Sequence, residues 1–284
     1  MTKAYRIEDL LSLMDKLRDP EFGCSWDRKQ SLRTLTAYTL EEVYEVIDAV
    51  ETGDDAQLQD ELGDLLFQVV FYAQIAKEEG RFDFSAVIAS VTEKLLRRHP
   101  HVFPDGSLDS FGNSELALNA EQVAERWELI KNEERAQKAL AENESTQLSV
   151  LDDIPSSLPA LDRARKLQKR AASVGFDWRA VQGVVDKVKE ELAELEEELA
   201  QGDQLRIEEE FGDLMFSCVN LARHLQIDPE SSLRASNRKF ETRFRAVEGL
   251  AEERSGGLEA LDETQLNRLW DQVKATEKTP SNRR

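Results

Sequence analysis

Several things are scarce in this 284-residue sequence, and each scarcity excludes something. Two cysteines, Cys24 and Cys218, are too few for a disulfide framework and lack metal-ligand spacing. They read as reduced thiols of a cytoplasmic protein. No run of ~18 apolar residues occurs, so no membrane association is expected. Met1 to Leu17 carries acids where a signal peptide would be apolar. Positive charge is short as well: 37 Lys and Arg face 57 Asp and Glu, a formal net charge of −20. A polyanion grips nucleic acid poorly, because that affinity comes from basic side chains displacing counterions, so no nucleic acid partner is expected. Any phosphate chemistry here calls for metal cations between acid and acid. Only 13 glycines and 7 prolines punctuate the chain, and no stretch alternates apolar and polar residues as a strand would.

What the chain does have is apolar residues at helical spacing. Ile7, Leu10, Leu11, Met14 and Leu17 form one stripe. Val43, Val46, Ile47 and Val50 form a second, ending at Gly53. Leu62, Leu65, Leu66, Val69 and Val70 form a third. Val87, Ile88, Val91 and Leu95 form a fourth, which should stop at His99 because the residue before Pro100 disfavours helix. A fifth helix is expected over 120–138, carrying Trp127. The fold class is all-α, with a surface loop over 104–119, a polar, proline-containing linker over 139–159 and a frayed tail from Lys278.

The chain also repeats itself. Glu42, Glu45, Glu61 and Asp64 recur as Glu191, Glu194, Glu210 and Asp213, at one offset of 149. Lys94 and Arg98 match Lys239 and Arg243 at an offset of 145, and "RWELIKNEE" around Trp127 matches "LWDQVKATE" around Trp270. The expected organisation is a tandem repeat of a helical-bundle unit: 1–138, a linker 139–159, 160–277 and a tail 278–284.

Residues three apart on a helix share a face. "EEVYE" therefore points Glu42 and Glu45 one way, and "ELGD" does the same for Glu61 and Asp64 on the next helix. The short turn "ETGDDAQ" between them implies antiparallel packing and four carboxylates on one seam. Glu191, Glu194, Glu210 and Asp213 repeat this around "AQGDQ". Like charges beside dense apolar sequence need compensation, by Lys or Arg or by a hard cation; Mg²⁺ prefers oxygen ligands and keeps phosphate oxygens in its shell. Gly63 and Gly212, inside the second motif helices, each cost about 1 kcal/mol against Ala and would admit a close neighbour. Taken alone, an acidic i, i+3 pair is usually a solvated face. The basic pairs fit a polyphosphate but equally ordinary i, i+4 salt bridges, and Trp127 and Trp270 fit a core as well as a stacked base. His99-Pro100-His101 reads as a helix-end loop.

These stretches, "GCSWDRKQSLRTLTAYTLEEVYEVIDAV", "ELGDLLFQVVFYAQIAKEEGRFDF", "RRHPHVF" and "VGFDW…KEELAEL…EEEFGDLMFSCVNLARHL", closely resemble the MazG family of nucleoside triphosphate pyrophosphohydrolases. The resemblance spans nearly the whole chain except the 105–120 loop, part of the linker and the tail. It implies an all-α pyrophosphohydrolase fold working as a homodimer. The implied reaction is Mg²⁺-dependent (or Mn²⁺-dependent) hydrolysis of a nucleoside triphosphate to monophosphate and pyrophosphate. Carried onto this chain, Glu191, Glu194, Glu210 and Asp213 hold the metal, as do Glu42, Glu45, Glu61 and Asp64 in the first copy. Lys239 and Arg243 (Lys94 and Arg98 in the first copy) hold phosphate, and Trp270 (Trp127) covers the nucleoside. Lys187, Glu190 and Glu209 border the motif as further binding candidates. Lys187 and Lys189 stand where the first copy has Tyr38 and Leu40, which favours the second repeat as the main site. A rival from another class is a non-enzymatic helical interaction module whose seam is stabilised by cations.

Overall fold

The computed structural model describes residues 4–112, 118–141 and 149–278. Among these the secondary structure is helical and no strand occurs. None of the described helices is long and apolar enough to cross a membrane. The chain divides into two compact units, Met1–Glu144 and Ser145–Arg284.

In the first unit, α1 (Ile7–Leu17) is followed by a 3₁₀ turn at Asp27–Lys29 and then by α2 (Leu35–Thr52) and α3 (Asp55–Glu78). Next come α4 (Phe84–Arg98), a 3₁₀ turn at Leu108–Ser110 and α5 (Ala120–Ala141). The last helix runs three residues beyond the expected 138. The periodic stripes thus become helices, and α4 does stop at His99. Met14, Leu35, Val70, Phe71 and Ile75 form the core, with α1 packed over the C-terminal half of α3. Arg18 fastens that end: its Nε and Nη2 donate to both Glu78 carboxylate oxygens, at 2.6–3.0 Å.

The second unit repeats the plan with α6 (Ala160–Ala172), α7 (Val181–Gln201), α8 (Gln204–His224), α9 (Pro229–Ser255), a 3₁₀ turn at Leu258–Ala260 and α10 (Glu263–Lys278). The buried Gln168 on α6 donates through Nε2 to the Phe216 carbonyl on α8, 2.8 Å away. Asp177, in the loop before α7, accepts from Arg223 and from His224, which ties that loop to the end of α8. Val247, Ala251, Leu269 and Val273 close α9 on α10. The 278–284 tail, beyond Lys278, lies outside the described residues.

The cores leave one surface of each unit uncovered. Leu62, Leu66 and Val69, which their period assigns to a buried stripe, are exposed; Leu62 keeps half of its surface. Leu192, Leu199, Leu205, Phe211 and Met215 are exposed in the second unit. Periodicity identifies an apolar face but not what covers it, and here the described residues of the same unit do not. Gly63 and Gly212 lie on this open surface: a Cβ built at either meets nothing within 4 Å among the described residues. The close neighbour expected at these glycines is therefore not found among the described residues.

Candidate active site

Each acid quartet is placed by one two-residue hairpin. Gly53 ends α2 in the left-handed conformation (φ 75°), and Asp54 opens α3 by accepting from the backbone N–H groups of Ala56 and Gln57. Gly202 (φ 79°) and Asp203 do the same between α7 and α8. Glycine takes that φ without Cβ strain, and aspartate supplies the N-cap that the next helix needs. The acids are symmetric about the glycine. Glu45 and Glu61 stand eight residues to either side of Gly53, Glu42 and Asp64 eleven; the same intervals hold about Gly202. At about 1.5 Å per helical residue, equal counts arrive at equal heights on antiparallel helices.

Three of the four acids converge in each copy. One oxygen each from Glu42, Glu45 and Glu61 lie within 4.8 Å of one another, and so do oxygens of Glu191, Glu194 and Glu210. Asp64 and Asp213 are exposed and stand outside these groups. Asp64 is nonetheless felt: burial first, then the Asp64 charge, pushes the Glu42 carboxyl above its usual range. Burial and the neighbouring Glu191 likewise raise Glu194. Glu191 is the most enclosed of the set, only 5% exposed. Clustered carboxylate oxygens of this kind could hold a hard divalent cation.

The copies part company in what surrounds the acids. In the second, Lys187 Nζ lies 2.7 Å from Glu190 and 2.9 Å from Glu191. Those two carboxylates hold the Lys187 ammonium well above its ordinary pKa. Arg206 reaches Glu209 at 2.8 Å and Glu210 at 3.4 Å. Lys189 turns to Asp186 instead. In the first copy, Glu42 receives the Gln68 amide and Glu61 the Gln57 amide, each at 3.4 Å. No ion pair reaches Glu42, Glu45, Glu61 or Asp64 among the described residues.

Arg206 and Gln68 are absent from the sequence-derived candidates. The signal for Arg206 is its i, i+4 spacing to Glu210, which by itself looks like any helix-surface pair. Gln68 gave none, since its burial is a tertiary fact. The other candidates sit on separate elements. Lys94 is exposed on α4, and Arg98 is engaged by Glu134 of α5 at 2.6 Å. Trp127 meets His99 edge-on at 5.1 Å. Lys239 is exposed on α9, whereas Arg243 stands 6.0 Å from the ring of Trp270, a half-buried residue packed on the α9–α10 core.

Comparison with known proteins bears on this pattern. The MazG nucleotide pyrophosphohydrolase domain matches the chain twice, over residues 30–103 and 179–247. The chain belongs to the MazG family. Both quartets lie inside the matched MazG segments, together with Lys94, Arg98, Lys187, Arg206, Lys239 and Arg243, while Trp127 and Trp270 lie outside them. Among MazG-type relatives, the nucleoside triphosphate pyrophosphohydrolase of Escherichia coli K12 is 53% identical over 96% of this chain and 98% of its own. The Thermotoga maritima nucleoside triphosphate pyrophosphohydrolase/pyrophosphatase MazG is 44% identical over 96% and 97%, respectively. This is an enzyme family, and the chain carries its domain in tandem.

Proposed function

We propose that this protein hydrolyses nucleoside triphosphates to nucleoside monophosphate and pyrophosphate, with its main site at Glu191, Glu194, Glu210 and Asp213. The observation that carries the reading is the carboxylate cluster on the α7–α8 hairpin, already flanked by Lys187 and Arg206. A bound Mg²⁺ supplies charge neutralisation and water activation at such a cluster. The chain's own residues do the rest. Glu191, Glu194 and Glu210 would hold the cation, with Asp213 one turn beyond Glu210 on α8 as a further acid. Lys187 and Arg206 pass from carboxylate to phosphate oxygens when the substrate arrives. Water attacks the α-phosphorus, the bond from that phosphorus to the bridging oxygen breaks, and pyrophosphate leaves with the bridging oxygen. The water's proton goes to a carboxylate of the cluster and on to solvent. Arg243, 6.0 Å from the Trp270 ring, and Lys239, one turn earlier on α9, take the rest of the nucleotide. Glu190 and Glu209, as partners of Lys187 and Arg206, set where those cations rest before substrate binds.

The homodimer belongs to the same reading. Open apolar surface of the kind left on α3 and α8 marks an interface. A second copy is a self-complementary partner for it.

The test is ³¹P NMR of each common nucleoside triphosphate with the full chain, with and without Mg²⁺. Monophosphate and pyrophosphate are expected only with the metal. Glu210→Gln should lose at least about 100-fold in rate, since it removes a metal-holding group outright, while Glu61→Gln keeps most of the activity. Activity surviving in Glu210→Gln would move the main site to the first repeat. Diphosphate and phosphate as products, or no turnover, would leave a cation-stabilised interaction module instead.

A further inference from the structure

The two quartets match acid for acid, yet residues around them differ, and three of the differences, at the same offset of 149, bear on a cation. Lys187 corresponds to Tyr38, Arg206 to Gln57 and Ser217 to Gln68. We propose that this makes the sites unequal in when they take a divalent cation: the first quartet binds one without nucleotide, and the second fills only together with a triphosphate. The inference rests on the reading of both quartets as cation sites, but not on hydrolysis.

Charge is the first argument. Each quartet carries four acids, but the first has no cation paired to it among the described residues, whereas Lys187 reaches Glu191 and Arg206 reaches Glu210 in the second. A cation entering the second cluster must displace a lysine held at 2.9 Å from Glu191 and an arginine 3.4 Å from Glu210. Without a phosphate to draw them away, Lys187 stays on Glu190 at 2.7 Å and Arg206 on Glu209 at 2.8 Å, so both remain beside the incoming ion and repel it. A triphosphate removes that penalty by accepting both. Tyr38 offers the first cluster no cation: its ring sits edge-on to Trp26, 5.6 Å between centroids. Gln57 is neutral.

The second argument is independent of charge. Gln68 is only 6% exposed, and its amide points at the first cluster, with Nε2 toward Glu42 Oε1. Its Oε1 is enclosed and has no hydrogen-bond donor among the described residues. A buried amide oxygen left without a donor is costly. The fold accepts that cost while Nε2 faces Glu42 Oε1 at 3.4 Å, an outer-shell contact of the kind that orients a cation-holding carboxylate. At the equivalent place the second copy has the shorter, buried Ser217.

The experiment is Mn²⁺ binding to the full chain without nucleotide, followed by the electron paramagnetic resonance of the free ion. One tight class per chain is expected, abolished by Glu61→Gln and retained in Glu210→Gln. Tyr38→Lys should weaken that class by about tenfold or more, the repulsion of a nearby unit charge even at high dielectric. Lys187→Met should bring the second class into range, tightening it by a similar factor. If Glu61→Gln does not melt cooperatively, Tyr38→Lys and Lys187→Met decide alone. A tight class that survives Glu61→Gln or disappears in Glu210→Gln overturns the proposal, as do two equal classes or none. Because no nucleotide is present, a protein that fails to hydrolyse triphosphates can still give the expected isotherm.

Discussion

At the scale of single residues, electrostatic placement separates structural acids from chemical ones. Asp177 is structural. Arg223 first, then His224, lowers its carboxyl from 3.8 to about 2. A carboxyl depressed in the folded state stabilises above its unfolded pKa, and the contribution is lost as pH falls through the folded value. For Asp177 it is complete above about pH 4 and gone near pH 2. Asp177→Asn should cost about 1–2 kcal/mol at pH 7, after allowing for solvent screening. It should also flatten the fall in melting temperature between about pH 4 and 2, which thermal melts across that range would show. Glu42 and Glu194 are shifted the opposite way, by burial and by other acids. Under the proposed function, such acids are relieved by a bound cation rather than by the fold. Such contrasts were only partly legible in the sequence. "ExxE" and "ExxD" placed the acids, but Asp64 and Asp213 fall outside the triads. Aspartate is one methylene shorter than glutamate, and spacing takes no account of reach.

At the scale of elements, the hairpin sets the register of the site. Gly202 holds a backbone conformation that alanine adopts only with strain, and open space around its Cβ position gives no compensating contact. Gly202→Ala should cost about 1 kcal/mol in stability. It should also weaken cation binding at Glu191, Glu194 and Glu210, because their facing depends on equal counts from the turn. Calorimetric melts, and a cation titration of the same variant in the presence of a triphosphate, check both. A loss of stability with binding intact would show that the register survives the strain. The helices themselves were legible because apolar residues recur every three or four positions and glycine or proline closes most of them. The end of α4 followed from Pro100 alone. Arg206 was missed because a basic residue one turn before an acid is the commonest pattern on any helix surface, and only its partner across the hairpin, Glu198 at 3.8 Å, distinguishes it.

At the scale of the molecule, the exposed leucines are the main departure from what the pattern implied. Leu66→Glu should turn the proposed dimer into a monomer in sedimentation velocity, while each chain keeps its helical circular dichroism. An unchanged sedimentation coefficient would mean that α3 is not the contact. The tandem organisation was legible because both copies retain their acids at a constant offset. The identity of the covering surface was not, since an apolar stripe looks the same whether its own chain or another buries it. The compactness of each hairpin also has a consequence in time. Every acid of the first quartet lies between Glu42 and Asp64, so its contacts span few residues and need no long loop to close. Chains are synthesised from the N-terminus at roughly 5–20 residues per second. The first cluster is therefore complete while most of the second unit is still untranslated, and an ion captured there would hold α2 on α3 as a nascent brace before the rest of the protein exists.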